Sequence, residues 1–184
     1  SGGANPILRD RQGRLWVGTD KGLDQLDEKT GKFIHYRNEP GNPKSLSDNV
    51  VWNLYEDRHG VLWVATGFPF VNKNQEQGGL CRLEPDGTFT QFKHNPNDPH
   101  TLINNKVRAL FEDSRGVFWV GTSGDGLHTM DRETGQFERH TYDPSKPDKL
   151  SRPPRKTNDD FAFNNDQITF IQEDVMGFIW IGTM

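Results

Sequence analysis

A single cysteine, Cys81, stands among 184 residues, so the chain has no disulfide framework and no CxxC metal site. One thiol does not decide the redox compartment. Only 32% of the residues are hydrophobic, and no apolar run approaches the length of a membrane span. The N-terminal SGGANP has neither the charged nor the apolar region of a signal peptide and reads as a cut edge. Blocks of like charge are missing: 22 Lys and Arg against 26 Asp and Glu leave a net charge of −4. That balance argues against a nucleic-acid or anionic-membrane surface. Neither G-x-S-x-G nor H-E-x-x-H occurs, and the Gly-rich SGDGL lies in a strand-to-strand connection, where it cannot cradle a phosphate.

Turn formers and aromatic rings are abundant: 19 Gly, 11 Pro, 12 Phe and 5 Trp. Such a composition suits many short strands better than helices. Four tryptophans mark a repeat. Trp16, Trp63, Trp119 and Trp180 stand 47, 56 and 61 residues apart. Six residues before each lies an aspartate (Asp10, Asp57, Asp113, Asp174), and three before lies a glycine (Gly13, Gly60, Gly116, Gly177). A threonine follows three residues later in every copy, and Gly-Leu follows in the first three. The uneven spacing comes mainly from the insertion FPFVNKNQEQ and a lengthened stretch around Ser151 to Phe161; without them the unit is close to 47 residues. A fixed period of this size signals a solenoid or a propeller.

Each unit reads as four strands. VVWNLYED is rich in β-branched and aromatic residues, DRHG turns, and VLWVAT returns. In D-x-x-G the carboxylate caps a backbone N–H and the glycine takes the positive φ of a tight hairpin. The repeated aspartate is therefore a turn former, not a catalyst. GLCRLEP, the turn PDG and TFTQFKH complete the unit. Four antiparallel strands in about 40–50 residues make a propeller blade. The expected fold is all-β: an incomplete propeller of about three and a half blades. Residues 1–37 form blade 1 with a partial first strand, and 38–94 form blade 2 with an insertion at 68–77. Blade 3 spans 95–142, a long inter-blade loop spans 143–166, and 167–184 are the first two strands of blade 4. Propellers close with roughly 4–8 blades, so open flanks would drive self-association, as a homodimer or otherwise, or meet the remaining blades of a parent propeller.

The pattern D-x-x-G-x-[LIF]-W-[VI]-[GA]-T with a following G-L resembles the two-component regulator propeller repeat, with Ala65 as its one departure from Gly. The lead-ins SLSDNVVWNLYED and TLINNKVRALFED also look like that family. The resemblance implies a fragment of the extracytoplasmic, ligand-sensing propeller of a hybrid two-component histidine kinase. It would lie on the periplasmic side of the inner membrane and respond to oligosaccharides. The phosphoacceptor, the kinase and any membrane attachment would belong to other parts of the parent protein. The Asp box of sialidases is a near neighbour, but there one residue, not two, separates Asp from Gly.

Loop lengths locate a binding face. Turns between strands one and two, and three and four, are short in every unit. The long connections fall between strands two and three and from blade to blade, which alternation places on one face. Loops on a rigid scaffold carry binding residues. Phe68, Phe70 and Phe161 offer flat apolar faces there, and Lys73, Asn74, Gln75, Arg152, Arg155 and Lys156 offer donors to hydroxyl or carboxylate groups. The ligand would be an oligosaccharide or another small molecule. His94 and His100 bracket HNPNDPH without a third metal ligand, and His35, His59, His128 and His140 read as structural or solvent-facing. No metal, cofactor or catalytic residue is expected. Two alternatives remain: a protein-interaction scaffold, and a lyase resembling the streptogramin-cleaving propellers.

Overall fold

The computed structural model describes residues 6–68, 77–124, 126–141, 143–146 and 167–183. Fourteen strands account for their regular structure. The first sheet holds β1 (Ile7–Arg9), β2 (Leu15–Thr19), β3 (Gly22–Asp27) and β4 (Lys32–Tyr36). The second holds β5 (Val51–Glu56), β6 (Leu62–Thr66), β7 (Gly79–Leu83) and β8 (Phe89–Phe92). The third holds β9 (Val107–Glu112), β10 (Phe118–Thr122), β11 (Leu127–Met130) and β12 (Phe137–Arg139). A fourth pairs only β13 (Ile168–Glu173) with β14 (Ile179–Thr183). Each sheet is an antiparallel meander in chain order.

The first strands lie side by side, β1 by β5, β5 by β9 and β9 by β13, so the sheets fan out from a common hub. This is the expected all-β propeller architecture, as an arc that does not close. The core lies between sheets. Trp16 packs with Val51, Leu54 and Phe89 of the second sheet, Trp63 with Val107, Leu110 and Phe118 of the third, and Trp119 with Ile168 and Ile171 of the fourth. On the far flank no further sheet among the described residues covers the ring, and Trp180 is 57% exposed, as Phe170 and Phe178 are also exposed.

The box folds the same way four times. One carboxylate oxygen of Asp57 accepts the backbone N–H of His59 at 2.9 Å and of Val61 at 3.0 Å. The other accepts the indole N–H of Trp63 at 2.9 Å. Asp10, Asp113 and Asp174 repeat the indole bond at 2.9, 3.1 and 2.8 Å. The six-residue spacing thus ties the turn to the indole, a buried ring in the first three copies and an exposed one at Trp180. Burial opposes the charge on Asp57, but the indole bond and then the backbone donors outweigh it and hold the carboxyl below its usual range. Gly60 sits at φ 78°, the left-handed backbone that this turn requires.

Candidate ligand-binding face

On the face of the short turns, adjacent sheets are stapled by one repeated device. The glutamate ending each later inner strand reaches back to the residue after the preceding aspartate. Glu56 accepts the N–H of Arg11 at 3.0 Å, Glu112 that of Arg58 at 2.8 Å, and Glu173 that of Ser114 at 2.7 Å. Between the second and third sheets Arg132 adds a bridge, 3.0 Å from Asp57 and 2.6 Å from Glu112, with its guanidinium over the Phe118 ring. Pro85 holds the matching place in the second sheet. A groove of about 720 Å³ with a mixed polar and apolar lining opens there between the first two sheets, Arg14, Arg82 and Glu84 lying beside Tyr36, Val61 and Leu83.

On the opposite face the two described inter-sheet connections are built structures. Asn38 donates its backbone N–H to Asn49 at 2.8 Å and its side-chain amide to the Leu46 carbonyl at 2.6 Å. In the next repeat His94 does the same, toward Asn105 at 2.6 Å and, through Nδ1–H, toward the Leu102 carbonyl at 2.8 Å. Leu46 and Leu102 are fully buried. His94 is therefore a loop clamp, and the Pro-rich sequences are anchored caps over the sheet ends.

Where the inner strands meet this face, three of them carry an irregularity at one shared position. The β5–β6 register shifts between Val51 and Asn53, the β9–β10 register at Thr122 opposite Val107, and the β13–β14 register between Ile168 and Phe170. The residues released from regular pairing are Trp52, Arg108 and Thr169. Bulges of this kind re-aim side chains and recur beside functional sites. The Arg108 guanidinium lies 5.6 Å from the Trp52 ring centroid, and its Nη1 donates to Gln167 Oε1 at 2.7 Å. Asn53 ties the adjacent strands by donating to the Arg108 carbonyl at 3.0 Å. Burial holds both Arg108 and the neighbouring Lys106 below their ordinary values.

Of the binding residues expected from the sequence, Phe68 lies at this place, 46% exposed and 6.4 Å from Trp52 between ring centroids. Phe70, Lys73, Asn74, Gln75, Arg152, Arg155, Lys156 and Phe161 lie outside the described residues. Sequence reasoning passed over Trp52 and Arg108. A signal existed, because Trp52 is the one tryptophan outside the repeated box.

Other reactive groups have structural roles. His128 is buried: Nδ1–H donates to the Val120 carbonyl at 3.1 Å, and Nε2 accepts the Ile103 N–H at 3.0 Å. The Cys81 thiol is buried beside Ser47, and burial pushes its pKa up, away from a reactive thiolate. Among the described residues no group of three His, Cys, Asp or Glu is placed to hold a metal. No helix there is long and apolar enough to cross a membrane.

Comparison with known proteins agrees with this architecture. The family described as two component regulator propeller matches residues 5–21, 45–68 and 101–124. Histidine kinase P4 of Formosa agariphila is 30% identical over 120 residues, 63% of this chain and 8% of that protein. The extracellular domain of a hybrid two-component system from B. thetaiotaomicron superposes with a TM-score of 0.67 at 25% identity, over 97% of this chain and 27% of that one. Virginiamycin B lyase from Staphylococcus aureus shares the fold, with a TM-score of 0.58 at 13% identity over 97% of this chain and 48% of the lyase. The chain thus spans about a quarter or less of the sensor proteins it matches. Three of its four Asp–turn–Trp hairpins, those centred on Trp16, Trp63 and Trp119, lie in or beside the segments that match the two component regulator propeller family.

Proposed function

We propose that this chain is part of the extracytoplasmic ligand-sensing propeller of a hybrid two-component regulator, on the periplasmic side of the inner membrane in its parent protein. It binds oligosaccharides on the face of the long connections and passes occupancy to a histidine kinase elsewhere in that protein. The observation that carries this reading is the likeness, along 97% of the chain, to an extracellular domain of a hybrid two-component system. A non-enzymatic role fits the site: the repeated aspartates hold turns, and the buried histidine and thiol hold loops. Calorimetric screening of a broad oligosaccharide panel, coupled to autophosphorylation of the full-length regulator, tests it. Binding that raises or lowers phosphorylation supports it; a full panel without heat or effect refutes it.

A second element of the reading concerns the flank at β13–β14. Phe170, Phe178 and Trp180 are each more than half exposed, a patch of the kind that marks an interface. Further blades of the parent cover it there, and in the isolated chain a second copy does. Light scattering on the purified chain decides between association and a dispersed monomer, which would sink the interface.

A further inference from the structure

The caps over the first two inter-sheet boundaries, residues 38–47 and 94–103, are near copies. Glu39 and Asn95 each donate a backbone N–H to a hydroxyl, Ser45 Oγ at 3.0 Å and Thr101 Oγ1 at 2.9 Å. Phe89 and Phe137 donate theirs to the carbonyls of Lys44 and His100, both at 2.8 Å. One place differs. In the second cap Arg139 donates Nε–H to the Thr101 carbonyl at 2.7 Å, and its Nη2 goes on to the carbonyls of Asp98 and Leu102 and to Thr101 Oγ1, at 3.0–3.1 Å. Gln91 is its counterpart in the first cap, pairing with Cys81 as Arg139 pairs with His128. The shorter amide repeats only the first of those bonds, to the Ser45 carbonyl at 2.8 Å. Beside it opens a cleft of about 370 Å³, lined by Asn38, Glu39, Asn42, Gln91 and Lys93 among others.

The lining selects the occupant. Glu39 accepts the Asn42 side-chain amide on one oxygen at 2.7 Å and has no donor on the other among the described residues. Lys93 is half-buried, and its ammonium makes no hydrogen bond or ion pair among those residues. A guanidinium like that of Arg139 would stand against the Lys93 ammonium, and an anion would stand against Glu39, since like charges at close range repel. A hydroxyl both donates and accepts, so two neighbouring hydroxyls satisfy both groups without adding charge. The volume lies in the range of small-molecule pockets, roughly 300–1,000 Å³.

We infer that this cleft is a saccharide subsite: vicinal hydroxyls of a neutral sugar donate to the Glu39 carboxylate and accept from the Lys93 ammonium, in room that Arg139 fills in the next repeat. Among the described residues no aromatic ring lines it, so a single sugar unit is held by hydrogen bonds and held weakly. The subsite rests on the oligosaccharide reading above and gives that ligand one point of attachment on the face of the long connections.

Nuclear magnetic resonance titration of the full chain, read at the backbone amides of Gly41, Asn42 and Lys93, suits weak binding. The probes are galactotriose, mannotriose and xylotriose, with ethylguanidinium and acetate as charged rivals. At least one trisaccharide should shift these amides saturably, and neither ion should. Gln91→Arg supplies from within the side chain that the second cap has, and it should weaken that sugar by about tenfold or more. Lys93→Ala should weaken it too, and it decides the matter if Gln91→Arg does not fold. Tighter binding of either ion than of any sugar overturns the subsite. Sugar affinity unchanged in the folded variants also overturns it and leaves the oligosaccharide reading standing, as does silence of these amides toward all three sugars. Absence of binding across the broad panel as well removes both.

Discussion

Arg132 Nη1 lies 3.0 Å from Asp57 Oδ2, across the boundary between the second and third sheets. The Asp57 and Glu112 side chains that share this guanidinium are only 2% and 3% exposed. Removing the cation strands two enclosed carboxylates, each with some remaining donors. Arg132→Met should therefore cost about 3 kcal/mol, the lower end for breaking a buried pair. Urea denaturation measures it, and a loss under 1 kcal/mol would show that the bridge is ornamental.

The Asp–indole bond is worth what its burial makes it worth. Asp57 and Trp63 are buried, whereas Trp180 above Asp174 is 57% exposed. Asp57→Ala should cost about 2–3 kcal/mol, because it leaves an enclosed indole N–H and turn amides without acceptors. Asp174→Ala should cost well under half as much, since water replaces the carboxylate. Equal losses in the two variants would contradict this account.

The inter-sheet connections should behave as core. Leu46 and Leu102 are fully buried beneath them, so Leu102→Ala should cost about 2–5 kcal/mol. A loop residue of a merely solvated connector would change stability by less than about 0.5 kcal/mol, and melting curves separate the two cases easily.

His128 makes stability depend on pH. Burial lowers its pKa from 6.5 to about 4, partly offset by the Val120 carbonyl. Below 6.5 the unfolded chain takes up a proton that the folded chain refuses. The contribution is therefore whole above pH 6.5, falls as pH drops toward 4, and is constant below that. The full loss is about 3 kcal/mol, from a value of 1.36 kcal/mol per pH unit. In denaturation series between pH 7 and 4, His128→Gln should flatten the slope by about that amount. An unchanged slope would place the titration elsewhere.

Sheet spacing should be sensitive at Gly121. A Cβ there would collide with the Ile168 side chain of the next sheet. Gly121→Ala should destabilise by about 1–3 kcal/mol through overpacking, and adding Ile168→Ala should recover part of that, a coupling that a double-mutant cycle reads directly.

These particulars show what could be seen in advance. The Asp–turn–Trp hairpin was legible because its partners lie within six residues, and strand alternation with a regular period then implies sheets around a hub. That the fifth tryptophan, Trp52, would leave its strand's alternation was not legible, because a bulge depends on how β5 meets β6. The anchored state of the Pro-rich connections was equally hidden, since it rests on Leu46 and Leu102 finding cover from sheets that follow them.

The amino-acid order alone thus determined the repeating unit, the turns and the all-β class, through contacts short enough for neighbouring residues to make by themselves. Tertiary structure decided the Glu staples, the Arg132 bridge, the tight fit at Gly121 and the meeting of Trp52 with Arg108. Those contacts join residues tens of positions apart, and which of them touch is set only when whole sheets pack side by side around the axis.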